Sequence, residues 1–151
     1  MLFTGQYEHT IDAKRRLAIP SGIRSRWDER VDGGAWYAVP WPGGLIRLYT
    51  ESDFERLSSE RETSLTPDEG AAELEAILYG MSSRLETDAA GRIRFPEEML
   101  SLTQLDGEVV LVGAGDRLEI RDRKAWRKGQ AERLAKLPAL IARAKNGSSS
   151  G

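Results

Sequence analysis

The chain holds 151 residues with a formal net charge of −2, and it contains no cysteine. One compact domain or two small ones fit that length, and disulfides and thiolate metal centres are excluded. No stretch approaches the roughly 20 apolar residues of a membrane span, and Met1-Leu2-Phe3 gives way at once to polar residues instead of a signal sequence. The composition predicts a soluble, cytoplasmic protein.

Residues 5–11 alternate, with Tyr7, His9 and Ile11 on one face, and predict a strand. Asp12-Ala13-Lys14-Arg15 supplies a turn, and Leu17-Ala18-Ile19 begins a second strand that Pro20 stops. A short helix is expected over 21–27 and a loop over 30–34. Strands follow at 36–39 and 45–49, separated by the turn residues Pro40-Trp41-Pro42-Gly43-Gly44. Thr50 or Ser52 caps a segment through Leu57. Thr66-Pro67-Asp68-Glu69 reads as a capping box opening a helix through Tyr79, with Leu74, Ile77 and Leu78 as its apolar stripe. Val109–Val112 is a continuous apolar run, so that strand is expected to be buried on both faces. A last helix starts near Arg123, carries Trp126, Leu134, Leu137 and Ile141 as candidate buried positions, and is expected to kink at Pro138. Residues 146–151 read as a flexible tail.

These elements repeat. His9 to Pro20 aligns with Leu85 to Pro96 at a constant offset of 76, sharing Asp-Ala-x-x-Arg followed by an aliphatic, a spacer, an apolar residue and Pro. With a slightly shorter offset, Trp36–Pro40 matches Val109–Gly113, and Ile46–Tyr49 matches Leu118–Arg121. The chain therefore divides into a first module over 5–52, an acidic helical connector over 53–80, a second module over 81–124, and a basic helix over 125–145.

Charge is segregated along the chain. Residues 10–27 carry five cations (Lys14, Arg15, Arg16, Arg24, Arg26) against Asp12, whereas residues 51–75 carry nine acids against Arg56 and Arg61. Residues 121–145 hold nine cations and two acids, suited either to a second nucleic-acid contact or to the acidic connector of a neighbouring subunit. Lys14, Arg15 and Arg16 repel one another unless an anion is near, which marks them as candidate phosphate contacts; Arg92 is their counterpart in the second copy, with Arg84 and Arg94 on flanking strands. Asp12 and Asp88 are repelled by phosphate, so their expected role is to organise the turn and orient the arginine. Trp36, Tyr37 and Trp41 are assigned to a core or interface. His9 is the only histidine, with no cysteine, nucleophile motif or phosphate-binding glycine loop beside it. No catalytic residue, metal ligand, cofactor or small-molecule substrate is predicted, and the chain reads as a non-enzyme.

The run Gly5-Gln6-Tyr7-Glu8-His9-Thr10-Ile11-Asp12-Ala13-Lys14, the paired Asp-x-x-x-Arg motifs and the segment Gly107 to Ile120 together resemble the MraZ family, over about residues 1 to 127. The resemblance implies two tandem AbrB-type modules, pseudo-symmetric and interlocked as a swapped-hairpin β-barrel, in a mainly β, α+β fold with short helices. It also implies a transcription regulator that forms a homo-oligomeric ring and is associated with the nucleoid. Such a protein binds double-stranded DNA at repeated short sites upstream of the division and cell wall gene cluster, including its own promoter. The basic face around the turns, with Lys14, Arg15, Arg16 and Arg92, would meet the duplex. An antitoxin-like protein-interaction module of the same fold is the alternative. One departure stands out: the family's usual glycine before the motif arginine is Arg15 in the first copy, whereas the second keeps Gly91. If the turn needs positive φ, Arg15 is strained by of order 1 kcal/mol.

Overall fold

The structure is a computed structural model, and it describes residues 1–149. Eight strands and seven helices alternate along the chain. The first module contributes β1 (Gln6–Thr10), β2 (Arg16–Ala18), β3 (Trp36–Trp41) and β4 (Leu45–Thr50). The second contributes β5 (Ser83–Leu85), β6 (Arg92–Arg94), β7 (Glu108–Gly113) and β8 (Leu118–Asp122).

Six strands form one antiparallel sheet in the order β1-β7-β8-β4-β3-β5, and β2 pairs with β6 in a separate two-stranded ribbon. Exchanging each strand with its counterpart in the other module reverses that order onto itself. The modules are therefore interlocked: β1 pairs with β7, β5 with β3, β4 with β8 and β2 with β6. The mainly β, α+β class and the strand exchange follow from the repeat, because each half alone leaves its strands without enough partners to bury a face.

The core lies between one face of the sheet and the ribbon. Leu17 and Ile93 are fully buried and sit opposite each other in the ribbon. With Ile19, Phe95, Ile23 and Met99 they meet Trp36, Ile46, Leu48, Val109, Leu111, Leu118 and Ile120 of the sheet. Three of these contacts are pairs at the offset of 76: Leu17 with Ile93, Ile19 with Phe95, Ile23 with Met99. Two helices flank the ribbon, α1 (Ser21–Arg26) and α5 (Glu97–Thr103), each entered through a proline. Phe3, Ile11, Ala38 and Leu105 complete the cluster.

The connector and termini differ from the sequence reading in ways that have local causes. Residues 30–34, expected as a loop, contain the short helix α2 (Glu29–Asp32), because Asp28 accepts from the Arg30 N–H and Asp32 accepts from the Asp28 N–H. Helix α3 (Glu51–Ser59) is capped by Thr50, whose hydroxyl accepts from the Asp53 N–H. Helix α4 (Glu69–Gly80) starts later than the Thr66 capping box predicts, since the Asp68 carboxylate takes the Ala71 N–H at 2.7 Å while the hydroxyls of Ser64 and Thr66 face each other. The single C-terminal helix is two: α6 (Arg123–Lys128) ends at Gly129, and α7 (Gln130–Ser149) continues through Pro138. Residues 146–149, expected as flexible tail, belong to α7, and residues 150–151 lie outside the described residues.

The sequence marks an apolar stripe on α4 and offers Leu134, Leu137 and Ile141 of the last helix as candidate buried positions. Leu74 and Ile77 are about half exposed, as are Leu137, Leu140 and Ile141, and Leu134 is 71% exposed. Helical periodicity identifies a stripe without saying what covers it; α7 is tied to the rest of the chain near its start, where Arg133 donates to the Trp126 carbonyl and Gln130 to the Gln6 side chain of β1. Val109, Val110 and Leu111 of β7 are buried on both faces as the unbroken apolar run predicts. No helix is long and apolar enough to cross a membrane among the described residues.

Candidate nucleic-acid interface

Both Asp-x-x-x-Arg turns have the same geometry, atom for atom. The Arg15 N–H donates to the Asp12 carbonyl at 2.9 Å, and the Asp12 N–H donates to the Arg16 carbonyl at 3.0 Å. Asp12 Oδ1 accepts from the backbone N–H groups of Lys14 and Arg16, while Oδ2 accepts from the Arg16 Nε at 2.8 Å. In the second copy Asp88 Oδ1 accepts from Ala90 and Arg92 N–H, and Oδ2 accepts from the Arg92 Nε at 3.0 Å. The aspartates therefore organise the turns, as their repulsion from phosphate suggested. Each occupies the Nε of its arginine, and among the described residues neither terminal nitrogen has a hydrogen-bond partner. Arg16 and Arg92 remain 29% and 34% exposed, so those nitrogens form a fixed fork facing solvent.

The backbone N–H of Arg16 does most to hold the Asp12 carboxyl below its ordinary value, helped by the Arg16 guanidinium and the Lys14 N–H; Arg92 and Ala90 do the same for Asp88. A carboxyl depressed in the fold stabilises it fully above its unfolded value and loses that contribution as pH falls through the folded value. Acid titration from pH 7 downward, followed by urea midpoints, is expected to show a loss of stability that Asp12→Asn with Asp88→Asn reduces.

The turn does require positive φ. Arg15 has φ 64° and Gly91 has φ 79°. Arg15 accepts the strain and sends its Nε to the Phe95 carbonyl at 3.0 Å. At Gly91 the equivalent space is filled from elsewhere: Arg24 of α1 lies where a Cβ would project, and its Nη1 donates to the Ala90 carbonyl at 3.4 Å. The second turn thus regains through Arg24 the cation that glycine removes. Gly91→Ala is expected to cost about 1–2 kcal/mol from the left-handed backbone, with Arg24 displaced as well; thermal melting reads the loss.

Antiparallel pairing of β2 with β6 places the two turns at opposite ends of the ribbon. Hydrogen bonds from Phe95 N–H to Arg15 and from Ile19 N–H to Gly91 fix the register. Four residues separate the ends, so the turns lie on the order of 13 Å apart. Leu17 and Ile93 face the core, and the alternate residues Arg16, Ala18, Arg92 and Arg94 share the outward face.

Arg16 and Arg92 thus share the outward face of one ribbon from opposite ends, with Lys14 and Arg15 in the turn at the Arg16 end and Gly91 in the turn at the Arg92 end. Arg84, counted as a flanking cation, is instead held by Glu51 and Glu86 on β5, at the far edge of the large sheet. Arg26 donates to the Leu2 carbonyl and lies off the ribbon. Arg94, the other flanking cation, does lie on the outward face of the ribbon, and its counterpart at the offset of 76 is Ala18. His9 is occupied in holding the scaffold: its Nδ1 lies 2.7 Å from the Ala18 carbonyl and so donates to it. Trp36 is buried at 1% exposure in the core, Tyr37 stacks on Phe54, and Trp41 carries Arg47 over its ring. Among the described residues no group of three or more His, Asp or Glu side chains could hold a metal ion.

The fold and these turns define a duplicated, strand-exchanged, mainly β protein that presents two aspartate-clamped arginines on one ribbon. Comparison with known proteins gives the family. Residues 78–145 match the family model described as "MraZ protein, putative antitoxin-like". The chain is 31% identical to the "Transcriptional regulator MraZ" of Mesoplasma florum, over 83% of this chain and 84% of that protein. Proteins of the same name from Thioalkalivibrio sulfidiphilus and Alkalilimnicola ehrlichii are also 31% identical, over 87% and 88% of this chain and 87% and 89% of theirs. The chain belongs to the MraZ family.

Proposed function

We propose that the protein is a transcription regulator that binds double-stranded DNA through the outward face of the β2–β6 ribbon and its flanking turns. The observation that carries this reading is the duplicated clamp: in each copy Asp takes the Arg Nε and leaves a pre-aimed pair of donors on a cation-rich ribbon. Phosphate oxygens would satisfy Lys14 and Arg15, and the forks of Arg16 and Arg92 suit paired acceptors on a phosphate or a guanine edge. The named relatives support the regulatory role, and the division and cell wall gene cluster, with the chain's own promoter, is the target we assign; the nucleoid is then its place in the cytoplasm. The test is a mobility shift of the full chain on duplex DNA from upstream of its own coding region against a shuffled duplex of equal composition. Preferential retardation of the upstream duplex supports the reading, and equal or no retardation refutes it.

Repeated short sites call for several ribbons in one assembly, and we read the chain as a homo-oligomer of ring type. Helix α4 bears Glu69, Glu73 and Glu75 with exposed Leu74, Ile77 and Met81, and it leads into the edge strand β5. Helix α7 bears Arg133, Lys136 and Arg143 with exposed Leu134, Leu137 and Ile141. It follows α6, whose Arg127 reaches Glu8 on the opposite edge strand β1. Complementary surfaces at opposite ends of one subunit join head to tail, and head-to-tail contacts close into rings. Leu134→Glu with Leu137→Glu is expected to yield monomers by light scattering; an unchanged mass would remove α7 from the interface.

A further inference from the structure

We infer that the ribbon is a polarised reading head, with Arg94 as a DNA-contacting residue outside both repeated motifs. The inference rests on the DNA-binding reading above and adds a residue and a direction to it.

Arg94 lies directly across the ribbon from Arg16, and Arg92 lies across from Ala18. The neighbouring hydrogen bonds fall at Arg15/Phe95 and Ile19/Gly91, so both of these pairs occupy the non-hydrogen-bonded sites. There Cα atoms approach to about 4.5 Å and facing side chains are closest. Like charges directly opposite one another are unfavourable. Asp12 engages Arg16 through Nε, yet the exposed Arg94 side chain has no ion-pair or hydrogen-bond partner among the described residues. Two guanidinium groups side by side on a surface are stable together when an anion lies over both. A duplex backbone or a guanine edge is such a group.

The pseudo-symmetry of the fold makes the asymmetry visible. The operation that carries Arg16 onto Arg92 carries Ala18 onto Arg94, Lys14 onto Ala90 and Arg15 onto Gly91. One end of the ribbon therefore gathers Lys14, Arg15, Arg16 and Arg94. The other has Arg92, with Arg24 supplied from α1. A symmetric ribbon would dock on a duplex equally well in either direction. This one has a strong end and a weak end, so each protomer takes one orientation on its site.

The experiment measures affinity of the full-length chain for the upstream duplex by fluorescence anisotropy at several salt concentrations. It compares wild type with Arg94→Ala, Ala18→Arg and Arg16→Ala. Arg94→Ala is expected to weaken binding several-fold and to reduce the salt slope by about 0.9. Ala18→Arg is expected to raise the slope by about the same amount and to reduce the directional bias of hydroxyl-radical footprints. Circular dichroism melting confirms that the exposed substitutions leave the fold intact. Wild-type affinity and slope for Arg94→Ala, beside a loss for Arg16→Ala, overturn the polarised head and leave the DNA-binding reading standing. Wild-type binding by Arg16→Ala as well overturns both.

Discussion

Arg16→Ala is expected to weaken binding to the upstream duplex about ten- to a hundredfold, the scale of one lost bidentate arginine contact. The effect is large because the side chain is held before DNA arrives. Asp12 fixes Nε at 2.8 Å and also binds two backbone N–H groups of the same turn. The guanidinium plane is set by the fold, so little rotamer entropy is lost on binding. Arg16→Lys should fail to restore affinity, since lysine has neither the Nε donor for Asp12 nor a planar fork. Asp12→Ala should give an intermediate loss, because the arginine remains but is no longer aimed. Arg92→Ala should show a weaker version of the Arg16 effect, as its end of the ribbon holds fewer cations. Electrophoretic titration with equal protein concentrations ranks the four variants.

Glu119→Ala is expected to destabilise the protein by about 3–5 kcal/mol, the cost of removing one partner from a buried ionic cluster. Glu119 is 6% exposed on β8. Its Oε1 accepts from Arg121 at 2.7 Å and its Oε2 from Arg117 at 2.9 Å, with the Arg47 Nε at 3.8 Å. Burial pushes this carboxyl up, but Arg121 and then Arg117 outweigh that push and hold it below its ordinary value. The charge is therefore present at neutral pH, and its stabilisation is lost as pH falls through the depressed value. Without it the three arginines crowd one surface with only Asp116 paired to Arg117. Urea unfolding reads the difference. Because Glu119 points away from the face packed by the ribbon, the folded variant should keep its DNA affinity.

The repeat made most of this architecture legible. Once His9–Pro20 and Leu85–Pro96 are aligned, the paired turns, the strands after them and the matched core positions Leu17 and Ile93 follow from alternation and from the need of each half for a partner. The positive φ at Arg15 was also readable, because Gly91 occupies the same place in the second copy. What escaped depends on contacts between distant residues. Arg94 was counted as a flanking cation, but its place across from Arg16 needed the register, since repeat logic pairs it with alanine. Arg24 joined the second turn through α1, and Arg84 left the candidate set because Glu51, 33 residues away, holds it. The cluster around Glu119 was not read from the sequence, because its three arginines come from β4, β8 and the loop before β8. Leu134, Leu137 and Ile141 of α7 were candidate buried positions and stand largely exposed, because amphipathicity does not specify the partner.

The chain has no native cysteine, so a DNA-cleaving iron chelate can be attached to single cysteines placed at will. The most direct measurement uses Ala13→Cys and Ala89→Cys, equivalent exposed positions in the two turns, with Ser59→Cys at the end of α3 as control. With turns on the order of 13 Å apart, cleavage of the upstream duplex should fall in two zones separated by about four base pairs, and the control should leave the duplex intact. Cleavage from Ser59 alone, or none from either turn, would contradict a duplex seated across the twin arginine turns.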